Sequence, residues 1–241
     1  KLSKRHGATS VMQFRDEGFL PEALLNFLAR LGWSFDDKTE LFSRAELIRD
    51  FTLDKIEHAP ATFDHAKLEW MNGAYIRGLA DDDLVARIRP FFERAHLNAD
   101  DATLRALAPL VKERMKKLSE AVTLADFLFV DELEYAPRLL VGKGMDAAPQ
   151  KGAGSSTSAI AALRAAETTL GKYASFADEE KIEAELRVDA ERLGQKNAQF
   201  FGALRVAVTG KTVSLPLMGS MRLLGREKTL RRVARAVMLL R

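Results

Sequence analysis

Apolar positions recur at helical spacing along most of this chain. Leu24, Phe27, Leu28 and Leu31 form one stripe, with Pro21 suited to a first turn and Gly32 placed to stop the helix. Ser43 to Ile48 predicts a second short helix, in which Ser43 and Glu46 have capping-box spacing. Over 63–77, Asp64 is a candidate N-cap and Leu68, Met71 and Tyr75 share a face; Trp70, Met71 and Tyr75 are expected in the core. From Asp81 the pattern is wholly helical. Leu84, Ile88, Phe91, Phe92 and Ala95 form one stripe, which Pro90 should kink or split. Leu104, Leu107, Val111, Met115 and Leu118 form the next, with Pro109 inside it, and 123–130 predicts a short helix.

The stretches 142–144 and 149–156 concentrate glycine, proline and serine and read as a linker. Beyond it, helices are predicted over about 156–172, 178–193, 196–206 and 226–241. Ile182, Leu186, Ala190 and Leu193 face inward before a Gly194 cap. In the last helix Leu230, Val233, Val237 and Leu240 point inward, with Lys228, Arg231, Arg232 and Arg235 opposite. Strand-like alternation is confined to 40–43 and 61–64, and no repeat or sustained heptad occurs. The fold class is mainly α.

Composition narrows the function classes. At 241 residues the chain can bury a sizeable core, and no apolar run approaches the roughly 18 residues that span a bilayer. No secretory leader pattern opens the sequence, and the absence of cysteine excludes disulfides and thiolate zinc sites, in keeping with a cytoplasmic location. Four histidines lack paired metal spacing, so no metal site is expected. Net charge is only +3, from 37 basic against 34 acidic residues, so charge distribution carries more information than charge itself.

Several chemical motifs fail on inspection. Ser3 near His6 has no third triad member, and Gly210-Lys211-Thr212 lacks the P-loop glycine, position 205 being arginine. The acidic pairs and triplet at 36–37, 81–83 and 100–101 suit helix N-termini better than cations. Two basic helix faces remain as candidate phosphate contacts: Lys112, Arg114, Lys116 and Lys117, and Lys228, Arg231, Arg232 and Arg235. The first seven residues, Lys1-Leu2-Ser3-Lys4-Arg5-His6-Gly7, bring two lysines and a hydroxyl together before a glycine, which suits a polyphosphate.

That opening stretch resembles the KMSKS-type signature of class I aminoacyl-tRNA synthetases, in the KLSKR form of bacterial glutamyl-tRNA synthetases. Later blocks resemble the same family in order: 18–23 with Asn26 and Leu31-Gly32-Trp33-Ser34; Phe63-Asp64 with Lys67-Leu68 and Trp70-Met71-Asn72; 205–210 and 223–227. The resemblance implies a parent that joins glutamate to tRNA(Glu) using ATP and Mg2+. Lys4 would act catalytically on the ATP phosphates, helped by Lys1 and Ser3; no contact transfers to Arg5. It implies a loop and stem-contact region over 1–79, the end of a catalytic body, then two all-helical anticodon-binding subdomains over 80–143 and 157–241, joined by the linker 144–156. Arg114 aligns with the family's anticodon-reading arginine, and Lys112, Lys117, Arg231, Arg232 and Arg235 would bind tRNA beside it. The HIGH-type signature is not in the sequence, so the chain is expected to be a fragment inactive by itself, with no bound cofactor. It is expected to be a monomer. The alternative is a non-enzymatic helical module that binds RNA or protein.

Overall fold

A computed structural model describes residues 10–36, 38–56, 62–141 and 155–241. Thirteen α-helices occur among them, and no strand; an isolated bridge joins Trp33 to Ile56. No helix among the described residues is long and apolar enough to cross a membrane. The strand-like readings at 40–43 and 62–64 are therefore corrected, since neither segment gains a pairing partner. The chain divides into two compact units, residues 1–123 and 124–241.

In the first unit, α1 (Val11–Glu17) and α2 (Pro21–Ala29) meet at a turn through Gly18, whose φ of +96° lies in the left-handed region. Phe14, Phe19, Leu24 and Phe27 of this pair pack on Leu68 and Met71 of α4 (His65–Gly78), with α3 (Arg44–Asp50) between them in sequence. Ser43 and Glu46 make both bonds of the capping box that starts α3. Asp64 caps α4 by accepting from the Ala66 and Lys67 amides. Trp70 corrects its core assignment: Met71 is fully buried and Tyr75 donates to the Phe42 carbonyl, but Trp70 is 46% exposed.

Helices α5 (Asp81–Arg94) and α6 (Asp101–Lys112) pack as a pair and run continuously through Pro90 and Pro109. The expected split fails because each proline sits on the exposed side, as do Ala86 and Arg105 one turn earlier. The carbonyl each ring deprives of its partner can take a water instead. Arg87 of α5 joins Glu22 of α2 through two hydrogen bonds of 3.0 and 3.1 Å, which hold the Glu22 carboxyl below the usual range. α5 ends in a Schellman turn, with the His96 amide donating to Glu93 O and that of Leu97 to Phe92 O. This puts His96 at φ +56°, where a Cβ is crowded. His96→Gly is therefore expected to stabilise the chain by about 0.5–1 kcal/mol, read as a higher midpoint in urea unfolding.

Helix α7 (Glu120–Ala125) gives way at once to a 3-10 turn over Asp126–Leu128, so the helix expected across 123–130 is shorter and starts earlier. The second unit then holds α8 (Arg138–Val141), α9 (Ser155–Gly171), α10 (Glu179–Arg192), α11 (Asn197–Thr209), α12 (Leu217–Leu224) and α13 (Arg226–Leu239). Its core joins Leu163, Ala166 and Leu170 of α9 to Ile182, Leu186, Phe200, Leu204, Met221 and Val233. Sequence periodicity did not reveal α12, whose single segment of eight residues is too short to show a period.

Candidate nucleic-acid interface

The first basic segment is not the continuation of a helix. α6 ends at Lys112, and residues 113–119 turn back across α4. Met115 and Leu118 are still buried, as their apolar character requires. Asn72, fully buried on α4, organises the crossing. Its Oδ1 accepts the Leu20 amide at 2.8 Å, and its Nδ2 donates to Lys116 O at 2.5 Å and Gly18 O at 3.4 Å. The Leu118 amide donates to Gly18 O at 2.9 Å and the Ser119 hydroxyl to Glu17 O at 2.6 Å. Gly73, next to Asn72, has no Cβ because Met115 O would lie 3.3 Å from it. Three chain segments are thus joined at one point, and the basic stretch leaves it with a fixed path.

The cations of that stretch fare differently. Lys112 pairs with Asp81 at 3.0 Å, and Lys117 with Glu69 at 3.5 Å, where Lys116 also approaches at 3.9 Å. The Arg114 side chain is exposed and has neither a hydrogen-bond nor an ion-pair partner among the described residues, although its backbone amide donates to Val111 O at 2.9 Å. A guanidinium left free on a fixed loop presents its planar fork to a ligand. Lys1, Ser3 and Lys4 lie outside the described residues, as does most of the expected linker.

The second basic face is corrected outright in its geometry. Its cations were expected together on the solvent side of α13, but Arg232 is 3% exposed and lies beside Val233 in the core. Its Nη1 donates to Val208 O at 2.7 Å, and Nη2 to Phe127 O at 2.8 Å and Val130 O at 2.6 Å. Val208 stands in the last turn of α11, where a carbonyl has no helical partner, so the guanidinium acts as a buried cap. Burial pushes its pKa down to about 10, still above neutrality. Lys228 donates to Leu128 O at 3.2 Å, burial lowering its pKa, and Arg235 pairs with Glu132 at 2.9 Å. Only Arg231 keeps the expected exposure, with Glu227 3.8 Å away.

This face therefore holds the 126–132 segment in place. The cleft beside it, about 420 Å³, is lined by Asp126, Glu132 and Glu134 as well as Lys211, a set that repels phosphate more than it attracts it. A signal for this was present in the sequence. Thr229, Arg232, Val233, Ala236 and Val237 follow the helical spacing of one buried stripe, so the place of Arg232 in that stripe, and not its charge, marks it as buried. Among the described residues no group of three or more His, Cys, Asp or Glu is placed to hold a metal ion.

Comparison with known proteins places this architecture. Residues 1–70 match the model of the class I tRNA synthetase (E and Q) catalytic domain, and residues 83–237 match that of the anticodon binding domain. The chain belongs to the anticodon binding domain family, with sequence of the class I synthetase catalytic domain ahead of it. Along its length it is similar to glutamate–tRNA ligases, as the opening resemblance implied. That of Dehalococcoides mccartyi is 43% identical over 98% of this chain, and that of Roseiflexus castenholzii 43% over all of it. The Chloroflexus aurantiacus ligase is 39% identical over 98%. The chain spans about half the length of these relatives, 48%, 46% and 47% respectively. A glutamate tRNA ligase structure from Elizabethkingia meningosepticum shares the fold with a TM-score of 0.78 at 23% identity, covering 100% of this chain and 49% of that one.

Proposed function

We propose that this chain is the tRNA-binding, anticodon-recognising part of a glutamate–tRNA ligase. Its parent would activate glutamate with ATP and magnesium and pass the glutamyl group to the terminal ribose of tRNA(Glu), in the cytoplasm and as a monomer. The regions 1–79, 80–143 and 157–241 would serve as stem-contact end of the catalytic body and as two anticodon-binding subdomains. Lys4, with Lys1 and Ser3, would stabilise charge developing on the departing pyrophosphate, a role resting on the signature itself.

The observation that carries the tRNA reading is Arg114, an exposed guanidinium without a partner among the described residues, on a segment whose path is fixed by Asn72 and Gly73. A planar fork held in this way can read one base edge, whereas Lys112 and Lys117, already paired with Asp81 and Glu69, are placed to support it. Arg114→Gln should weaken binding to tRNA(Glu) by about ten- to a hundredfold, selectively at one anticodon base. The check is a filter-binding series with each anticodon position varied in turn. Equal losses across all anticodon variants would overturn the assignment, and equal affinity of the unaltered chain for tRNA(Glu) and an unrelated tRNA would overturn the glutamate reading.

A further inference from the structure

A cavity of about 440 Å³ lies in the first unit, where α1 and the start of α2 meet α5 and Leu118. Its inner walls are apolar: Phe19, Leu20 and Leu118 are buried, and Phe91 is partly exposed. The volume falls within the roughly 300–1,000 Å³ of small-molecule sites. Backbone hydrogen bonds set the walls in place before any ligand arrives. The Leu118 amide donates to Gly18 O at 2.9 Å, and the Leu20 amide to Asn72 Oδ1 at 2.8 Å. A cavity shaped in advance loses little ordering entropy when it is filled.

Charge on the rim is unbalanced. Arg15, Arg87 and Arg94 line the cavity with a single carboxylate, Asp16. Arg87 is already engaged by Glu22 at 3.0 and 3.1 Å, and its Nε donates to Asp83 at 3.0 Å. Asp16 is shared. Its Oδ1 accepts from Arg15 Nε at 3.1 Å and Nη2 at 3.0 Å, while Arg94 Nη1 stands 3.8 Å from the same oxygen, beyond hydrogen-bond reach. Among the described residues, the Arg94 side chain forms one hydrogen bond, from Nε to Pro90 O at 3.3 Å. Its guanidinium lies 4.4 Å from the centroid of the Phe91 ring, a cation–π contact that positions the group without using its Nη donors. Covering an apolar ring is reason enough for an arginine to lie there. It explains neither the preformed apolar walls nor the second cation on one carboxylate.

We propose that this cavity binds a small aromatic carboxylic acid, its ring against Phe19, Phe91 and Leu118 and its carboxylate on the Nη groups of Arg94. Such a site owes nothing to the tRNA-binding reading. Acetate or inorganic phosphate would leave the apolar walls in contact with water, and a neutral aromatic molecule would leave the Arg94 donors unused. The net positive rim repels metal cations. A ligand carrying both a ring and a carboxylate satisfies both parts of the cavity, and the ion pair gains strength where apolar walls exclude water.

Titration calorimetry of the whole chain with 1-naphthoate, 1-naphthalenemethanol and acetate tests this. Naphthoate should bind about tenfold or more tightly than either of the others. In amide NMR spectra its shifts should centre on Phe19, Phe91 and Leu118. Arg94→Gln should weaken naphthoate about tenfold and leave the alcohol unaffected. Asp16→Asn removes the competing carboxylate and should tighten naphthoate, whereas Arg15→Gln leaves Asp16 to Arg94 and should weaken it. A general disturbance of the structure would move both variants in the same direction. All three positions are exposed, so melting curves should match that of the unaltered chain. Equal affinity for naphthoate and the alcohol, undiminished naphthoate binding in Arg94→Gln, or shifts centred in the second unit would each overturn the proposal.

Discussion

Truncating Arg232 to alanine should unfold much of the second unit's packing at a cost of about 3–5 kcal/mol, and not merely remove a surface charge. Three carbonyls, those of Val208, Phe127 and Val130, lose their donor together. A buried polar group left without a partner costs roughly 1–3 kcal/mol, and the vacated volume adds a cavity. Hydrogen exchange should show lost protection in 126–132 and in the last turn of α11 before anywhere else in the unit. Arg232→Lys should recover only part of the loss, since one ammonium cannot span donors aimed at both segments. Arg231→Ala, on an exposed neighbour, should change stability by less than about 0.5 kcal/mol. If Arg232→Ala melts like the unaltered chain while binding tRNA more weakly, the buried-cap account is wrong and the charge acts at the surface.

Gly18→Ala should be comparably severe in the first unit, about 3 kcal/mol or more. Two penalties coincide there. The backbone sits at φ +96°, which costs a residue with a Cβ about 1–3 kcal/mol. The added carbon would also stand 2.6 Å from the Ser119 amide nitrogen and 2.7 Å from that of Leu118, backbone atoms with no rotamer by which to move aside. Relief requires the 117–119 segment to retreat, breaking the bond from Leu118 to Gly18 O and loosening the path of Arg114. Both tryptophans lie in this unit, so their fluorescence should report the lower urea midpoint. A stability within about 0.5 kcal/mol of the unaltered chain would show that the crossing tolerates displacement. If the crossing does move, the variant should also bind tRNA more weakly than Arg114→Gln at temperatures where it remains folded.

These two residues are best understood against a third position, Arg114. All three depend on the same event, a loop passing close to a helix. At Arg232 and Gly18 the approach is tight enough to bury a guanidinium or exclude a methyl group, whereas at Arg114 it fixes the backbone and leaves the side chain outside. Charge count along the sequence treats Arg114 and Arg232 alike. Their environments separate a candidate ligand contact from a structural cap.

Local sequence determined what local forces decide. The helices, the Ser43–Glu46 capping box, the Asp64 cap and the buried stripe of Leu104, Leu107 and Val111 follow from side-chain period and short-range hydrogen bonding. The family resemblance was legible too, because a signature is a linear string. Tertiary structure alone decided which polar side chains found partners. Asn72 reads as an ordinary helical residue until the 18–20 turn and the Lys116 carbonyl close on it, and Arg232 as a surface cation until α11 and the 126–132 segment supply carbonyls. Trp70, expected in the core with Met71 and Tyr75, stays outside because α4 turns Leu68 and Met71 inward instead. The free energy of a polar or aromatic group depends on what surrounds it in three dimensions, over separations of 24 to 105 residues in these bonds, and no periodicity carries that information.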